Sequence, residues 1–190
     1  MCNEYFEDKD FDGIDYSEKE VTKGNYENCT FNNCIFSNSD LSDIKFVECE
    51  FINCDLSIAK ISNTAFRDIK FITCKLLGLH FENCNKFLFS IDFESCQLNL
   101  SSFYKLNLKN IKFKDCSLKE VDFTESDLTN IIFSNCDLYE ARFENTILNE
   151  ADFRSSYNFT IDPQINQIRK AKFSASGIMG LLSSYDIEVE

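Results

Sequence analysis

In Phe93-Glu-Ser-Cys-Gln-Leu98-Asn-Leu-Ser-Ser-Phe103-Tyr-Lys-Leu-Asn-Leu108-Lys-Asn-Ile-Lys-Phe113, every fifth residue is large and apolar. The series continues through Leu118, Phe123, Leu128, Phe133, Leu138, Phe143, Leu148 and Phe153. Upstream it runs Tyr26, Phe31, Phe36, Leu41, Phe46, Phe51, Leu56, Ile61, Phe66, Phe71, Leu76 and Phe81, and one slip of two residues separates the blocks. Neither an α-helix, with period 3.6, nor a flat strand, with period 2, spaces apolar groups this way. A backbone that turns a corner every five residues does, so the pattern predicts a solenoid whose coils touch only their neighbours.

Two places before each large residue stands a small or apolar one, for example Cys34, Cys54, Cys74, Cys96, Cys116 and Cys136. Residues two apart on extended chain face the same way, so this is a second inward position. The remaining positions are mostly Asp, Asn, Lys, Glu, Ser and Thr and face water. Ile91, Ile111 and Ile131 recur at twenty residues, as do Cys96, Cys116 and Cys136. Twenty residues are four pentads, which predicts a square cross-section. One wall then carries Phe31, Phe51, Phe71, Phe93, Phe113, Phe133 and Phe153 in a column. At strand spacing, about 4.8 Å, seven such coils make a rod on the order of 35 Å long. The slip is an insertion on one side of one coil, at residues 85–90.

The ends break the pattern. Phe6, Phe11, Tyr16 and Val21 keep the spacing, but their inner partners include Glu4, Lys9 and Lys19. Charged groups should not be buried unpaired, so the first coil is expected to be irregular or frayed. After Phe153 the repeat is expected to stop. Asp162 before Pro163 is an N-cap signal and predicts a short helix from about Pro163 to Lys170. A second helical stretch is expected near Ser176, and the alternating tail Tyr185, Ile187, Val189 reads as a short strand. The expected division is residues 1–158 for the β-helix and 159–190 for a cap.

A net charge of −13 disfavours direct binding of nucleic acid. No apolar run approaches a membrane span, and Met1–Asp10 lacks the features of a secretory signal, which points to the cytoplasm. Nine of the ten cysteines, all but Cys2, sit at the inner small position. Their spacing does not converge on a point as metal ligands do, so they read as core filler. The one histidine, His80, faces outward with no nucleophile arranged beside it. Neither a phosphate-binding glycine loop nor a carboxylate pair framed by apolar residues is present, so no enzyme, metal or cofactor is expected.

Pentads such as Ala151-Asp-Phe-Arg-Ser and Ser126-Asp-Leu-Thr-Asn resemble the pentapeptide repeat family over about residues 26–155. The resemblance implies an all-β solenoid, a right-handed quadrilateral β-helix. At the C-terminus, Ile161-Asp-Pro, Lys170-Ala-Lys-Phe-Ser, Gly180-Leu-Leu and Tyr185-Asp-Ile-Glu resemble the end of the bacterial Qnr-type quinolone-resistance proteins. That likeness implies a homodimer joined at the C-terminus. It also implies DNA-mimic binding to a type II topoisomerase, gyrase or topoisomerase IV, with protection from fluoroquinolones. The alternative is a scaffold module for another cytoplasmic protein.

Two sets of residues are candidate contacts. Ile178, Met179, Leu181 and Leu182 exceed what covering one small square end needs, and a two-fold contact would bury the rest. Phe87 and Phe89 lie in the one mid-rod departure from the repeat, where solenoids often bind partners. The competing expectation there is that Leu88 fills the core while both rings shelter against the bulge. The wall of the Phe column mixes Lys70, Lys112 and Lys114 with Glu50, Asp92, Glu94 and Asp152, and several outward positions of the rod (Ile52, Ile72, Leu77 and Ile132) are apolar. Such a surface suits contact with a protein better than a DNA-like track.

Overall fold

The computed structural model describes residues 4–109, 111–185 and 187. Eleven short strands mark the coils: β1 (Glu4–Glu7), β2 (Asp10–Asp12), β3 (Gly24–Glu27), β4 (Thr30–Asn32), β5 (Lys45–Val47), β6 (Glu50–Ile52), β7 (Ala65–Arg67), β8 (Ile69–Ile72), β9 (Ile91–Glu94), β10 (Lys112–Lys114) and β11 (Ile132–Ser134). All pairings are parallel. β1, β3, β5 and β7 form the first wall, and β2, β4, β6, β8, β9, β10 and β11 form the second. The third and fourth walls are held by isolated parallel bridges, such as Ile35 to Asp55 and Asp122 to Arg142. The fold is a quadrilateral parallel β-solenoid.

Register follows the sequence period. Phe31 pairs with Phe51 and Phe113 with Phe133, steps of twenty, whereas Phe71 pairs with Phe93 across the insertion. The second-wall rings stack face to face from end to end. Phe31–Phe51, Phe51–Phe71, Phe71–Phe93 and Phe93–Phe113 have centroids 4.8, 5.0, 5.5 and 5.0 Å apart. Ring separations of this order sit in the favourable offset range. A second aromatic column changes walls at the insertion. Below, it is Phe6, Tyr26, Phe46 and Phe66 on the first wall; above, it is Phe81, Phe103, Phe123 and Phe143 on the fourth. The two columns meet edge to face on both sides of the switch, as in Phe46–Phe51 and Phe93–Phe103.

The polar positions of each pentad have structural jobs. Two places after most of the large residues the chain takes a left-handed conformation, φ +50° at Asn28 and +51° at Asn33. Asn and Asp tolerate that conformation best among residues with side chains. The acid one place before the large residue accepts the next corner N–H: Ser57 N–H to Asp55 at 2.9 Å and Thr124 N–H to Asp122 at 2.9 Å. At Asp15 the Ser17 hydroxyl and N–H hold the carboxyl below the usual carboxylate range. Much of the acid is therefore architectural.

The inner small position satisfies backbone carbonyls. Thiols of Cys54, Cys74 and Cys96 donate to the Phe31, Phe51 and Phe71 carbonyls of the coil below at 3.2, 3.2 and 3.3 Å. Thr64, Ser126 and Ser156 hydroxyls do the same for Leu41, Phe103 and Phe133. A small hydrogen-bond donor is preferred because a buried, unpaired carbonyl costs about 1–3 kcal/mol. Burial pushes the Cys49 thiol up to about 12, so it stays a neutral donor.

Both ends correct the sequence reading. Three sides of the first coil are regular: β1 and β2 pair with β3 and β4, and Phe6, Phe11 and Tyr16 stack on Tyr26, Phe31 and Phe36, whereas its fourth side, residues 16–23, carries neither strand nor bridge, as expected of an irregular coil. Glu4, Lys9 and Lys19 are tolerated at inner positions because the open end leaves them exposed. At the other end the coil does not stop at Phe153. Bridges Ile147–Gln167 and Asp152–Lys172 continue it, and Phe173 stacks on Phe153 at 5.4 Å. The helix expected over Pro163–Lys170 is absent. Asp162 does cap the Gln164 N–H at 2.8 Å, but Asn166 draws the segment into a coil. Its amide donates to the Phe143 and Asp162 carbonyls and accepts the Thr146 N–H. The stretch near Ser176 is a 3₁₀ helix, Gly177–Leu181, followed by another at Ser183–Tyr185. Tyr185 therefore does not open a strand, and Val189 lies outside the described residues.

Candidate functional site

The insertion is built by a local departure and return. A 3₁₀ turn at Phe81–Asn83 ends the fourth wall. Asn85 is still in register, its N–H on the Thr64 carbonyl at 2.9 Å and its amide on Asn63 at 3.1 Å. The chain then bulges and rejoins at Ser90, whose N–H reaches the Phe66 carbonyl at 3.1 Å. Asn85 Oδ1 accepts the Phe87 N–H at 3.0 Å and fixes the start of the bulge. Phe89 turns inward and meets Phe81 edge to face at 6.5 Å. Phe87 and Leu88 stay outside, 66% and 64% exposed. Phe89, not Leu88, therefore packs on the core: Leu88 occupies the left-handed corner, φ +57°, which points its side chain away. The Arg67 guanidinium lies 5.0 Å from the centre of the Phe87 ring, so the exposed ring is held by a cation.

The C-terminal cap is pinned by close packing. Ile161 N–H donates to the Gly180 carbonyl at 2.9 Å. Gly180 lies against the Phe159 carbonyl and ring, and a Cβ at Gly177 would come within 2.9 Å of that ring. Leu181 packs on the core and Leu182 is half-buried. Ile178 and Met179 remain 50% and 46% exposed, with Ile165 and Tyr185 exposed nearby in the same segment. The four residues singled out in the sequence thus divide: Leu181 holds the cap down, while Ile178 and Met179 present apolar surface. Ile178→Glu leaves the core contacts untouched; if the end is a dimer contact, the variant sediments as a monomer where the parent sediments as a dimer. Identical sedimentation of the two would remove Ile178 from any interface.

The second wall is a ladder of alternating charge. Lys70–Glu50, Lys114–Glu94 and Lys112–Asp92 pair across coils at 2.7, 2.6 and 3.5 Å. Of its outward apolar residues Ile132 is 53% exposed, while Ile52 and Ile72 are half-buried. Acid outweighs base on the third wall, where Asp15, Glu18, Asp55, Glu120, Asp137 and Glu140 face only Lys75 and Lys119. His80 Nδ1 sits 2.9 Å from Glu82 on the surface. Among the described residues no group of three His, Cys, Asp or Glu could hold a metal ion, and no helix is long and apolar enough to cross a membrane. Exposed apolar corners at Ile58 and Leu100 were not singled out from the sequence. Their signal was there, an aliphatic residue where the pentad ordinarily carries Asn, Asp or Glu.

A square parallel solenoid with a left-handed corner two residues past most core side chains defines the class of pentapeptide-repeat folds. The chain belongs to the pentapeptide repeat family: the pattern described as "pentapeptide repeat region" matches residues 24–86 and 44–123, and that of "pentapeptide repeats (8 copies)" matches 116–154. No curated protein sequence matches the chain. Among solved structures, full-length QnrB1, a plasmid-mediated fluoroquinolone resistance protein, is 19% identical with a TM-score of 0.51, covering 97% of this chain and 100% of its own. A trypsin-treated variant of the same protein is 17% identical with a TM-score of 0.58, covering 100% of both chains. HetL, involved in heterocyst differentiation regulation in the cyanobacterium Nostoc, is 12% identical with a TM-score of 0.56, over 90% of this chain and 86% of its own.

Proposed function

We propose that the protein is a non-enzymatic binding protein that acts as a homodimer, joined through its C-terminal end, on a type II topoisomerase. In this reading it docks on gyrase or topoisomerase IV and lowers the enzyme's sensitivity to fluoroquinolones. The observation that carries the reading is the match to QnrB1 along that protein's whole length. The exposed Ile178 and Met179 on the cap support the dimer, and the unbalanced acid of the third wall supports a partner that ordinarily holds DNA. Phe87, presented on the bulge and backed by Arg67, would be a protein contact, with Phe89 anchoring the bulge from beneath. Charge pairing along the second wall points away from that wall as the docking surface. The comparable match to HetL favours, as the second reading, a scaffold for another protein.

The test is a gyrase supercoiling assay with ciprofloxacin and purified protein in titration. The expected result is restored supercoiling at substoichiometric to equimolar protein, with inhibition at large excess. Neither protection nor inhibition at any dose would reject the topoisomerase reading and leave the scaffold reading.

A further inference from the structure

The corner between the third and fourth walls carries one residue per coil, in left-handed conformation where φ is positive. Its order along the rod is Asn38, Ile58, Gly78, Leu100, Glu120 and Glu140, fixed by backbone bonds from Asn38 to Ser57, Ile58 to Leu77, Gly78 to Asn99, Leu100 to Lys119 and Glu120 to Tyr139. Ile58 and Leu100 stand out twice. Each is at φ near +60°, +57° and +63°, a conformation that a bulky side chain, and above all β-branched Ile58, adopts only at a cost. They are also 66% and 59% exposed, so no core contact compensates. Asn, the commonest corner residue here, would relieve both penalties. Gly78 between them carries no side chain, and a Cβ there would be 3.8 Å from Ile58 Cγ1, in ordinary contact. The corner is therefore a notch with an aliphatic wall on either side, about 9–10 Å from rung to rung over two coils.

Charge decides what fits the notch. Continuing up the corner, Glu120 and Glu140 are exposed and form no salt bridge among the described residues. Three of the nearby cations are engaged, while Lys75 forms no salt bridge among the described residues: Lys60 lies 3.8 Å from Asp40, Lys119 3.2 Å from Asp137, and Arg142 3.9 Å from both Asp122 and Glu144. We propose that this corner is a docking site for a segment of a partner protein with an aliphatic anchor followed by Lys or Arg. The anchor seats between Ile58 and Leu100 over Gly78, and the basic residues meet Glu120 and Glu140. Glu120 and Glu140 also belong to the acid that the topoisomerase reading uses, but Ile58 and Leu100 lie on neither the bulge nor the cap, so peptide binding tests this site separately from gyrase protection.

The experiment uses fluorescein-labelled synthetic peptides of equal length and fluorescence anisotropy with the full chain. One peptide carries a Leu block followed by a Lys block, a second replaces Lys by Glu, and a third replaces Leu by Ser. The expected result is that the Leu–Lys peptide binds at least about tenfold tighter than either control, and more weakly as salt rises. The double variant Ile58→Asn with Leu100→Asn should lose that preference while melting at or above the parent temperature, since Asn suits the left-handed corner. Ile132→Asn, on the second wall, should bind as the parent does. Equal binding of the Leu–Lys and Ser–Lys peptides, no saturable binding of any peptide, or full binding by the double variant would each overturn the proposal.

Discussion

Phe113→Asp should abolish the cooperative melt of the rod. The ring is 1% exposed, stacks on Phe93 at 5.0 Å and Phe133 at 5.5 Å, and meets Phe103 and Phe123 edge to face. Truncating a buried Phe costs about 3–5 kcal/mol. A carboxylate left without a partner in that space adds several more. Domains are stable by about 5–15 kcal/mol, so the sum takes most or all of it. Phe113→Leu separates size from charge: other walls hold Leu at the equivalent level, so a loss of only about 1–1.5 kcal/mol is expected. Circular dichroism against temperature reads both. An Asp variant melting at the parent temperature would place Phe113 outside the core.

Gly180→Ala should release the cap while leaving the coils below intact. The backbone of Gly180 lies against the Phe159 carbonyl, and the new methyl would also meet Phe159 Cδ2 at 2.8 Å. A clash with backbone is relieved only by moving the segment. That breaks the bond from Ile161 N–H to the Gly180 carbonyl and uncovers Phe159. Hydrogen exchange at the Ile161 amide should accelerate by more than about tenfold, while amides of the β9–β11 ladder keep their protection. Unchanged exchange at Ile161 would mean that the close approach does not hold the cap.

The repeat made the interior legible before any coordinates. A single periodicity placed the second-wall column from Phe31 to Phe153, the inner thiols and the bulge at 85–90, because each depends on the same five-residue geometry. The ends were misread because the rules for a buried position were applied where nothing covers it. Glu4 and Lys9 looked unfit for an inner site, yet the terminal coil leaves that site open to water. The Asp162-Pro163 signal was read as the start of a helix, and the capping bond does form. What decided the outcome was Asn166, whose bonds to Thr146 and Phe143 reach 20 and 23 positions back and so are invisible to a local pattern. The bulge was located by counting, but which of Phe87, Leu88 and Phe89 packs inside depended on which one takes the left-handed corner. The sequence reading judged residues by whether they could be buried, and so passed over Ile58 and Leu100, which matter for being out.

A stack of nearly equivalent coils carries a hazard that irregular folds escape. A growing chain could seat one turn on the wrong neighbour and still lay Phe upon Phe. The bulge between Asn85 and Ser90 breaks that degeneracy, because the step from Phe71 to Phe93 is longer than the others along its wall. Misthreading by a full turn would drive Phe87 and Leu88 into space made for a single side chain, or leave Phe89 stranded in water. The bulge thus serves as an index mark, telling the thread where to start counting again.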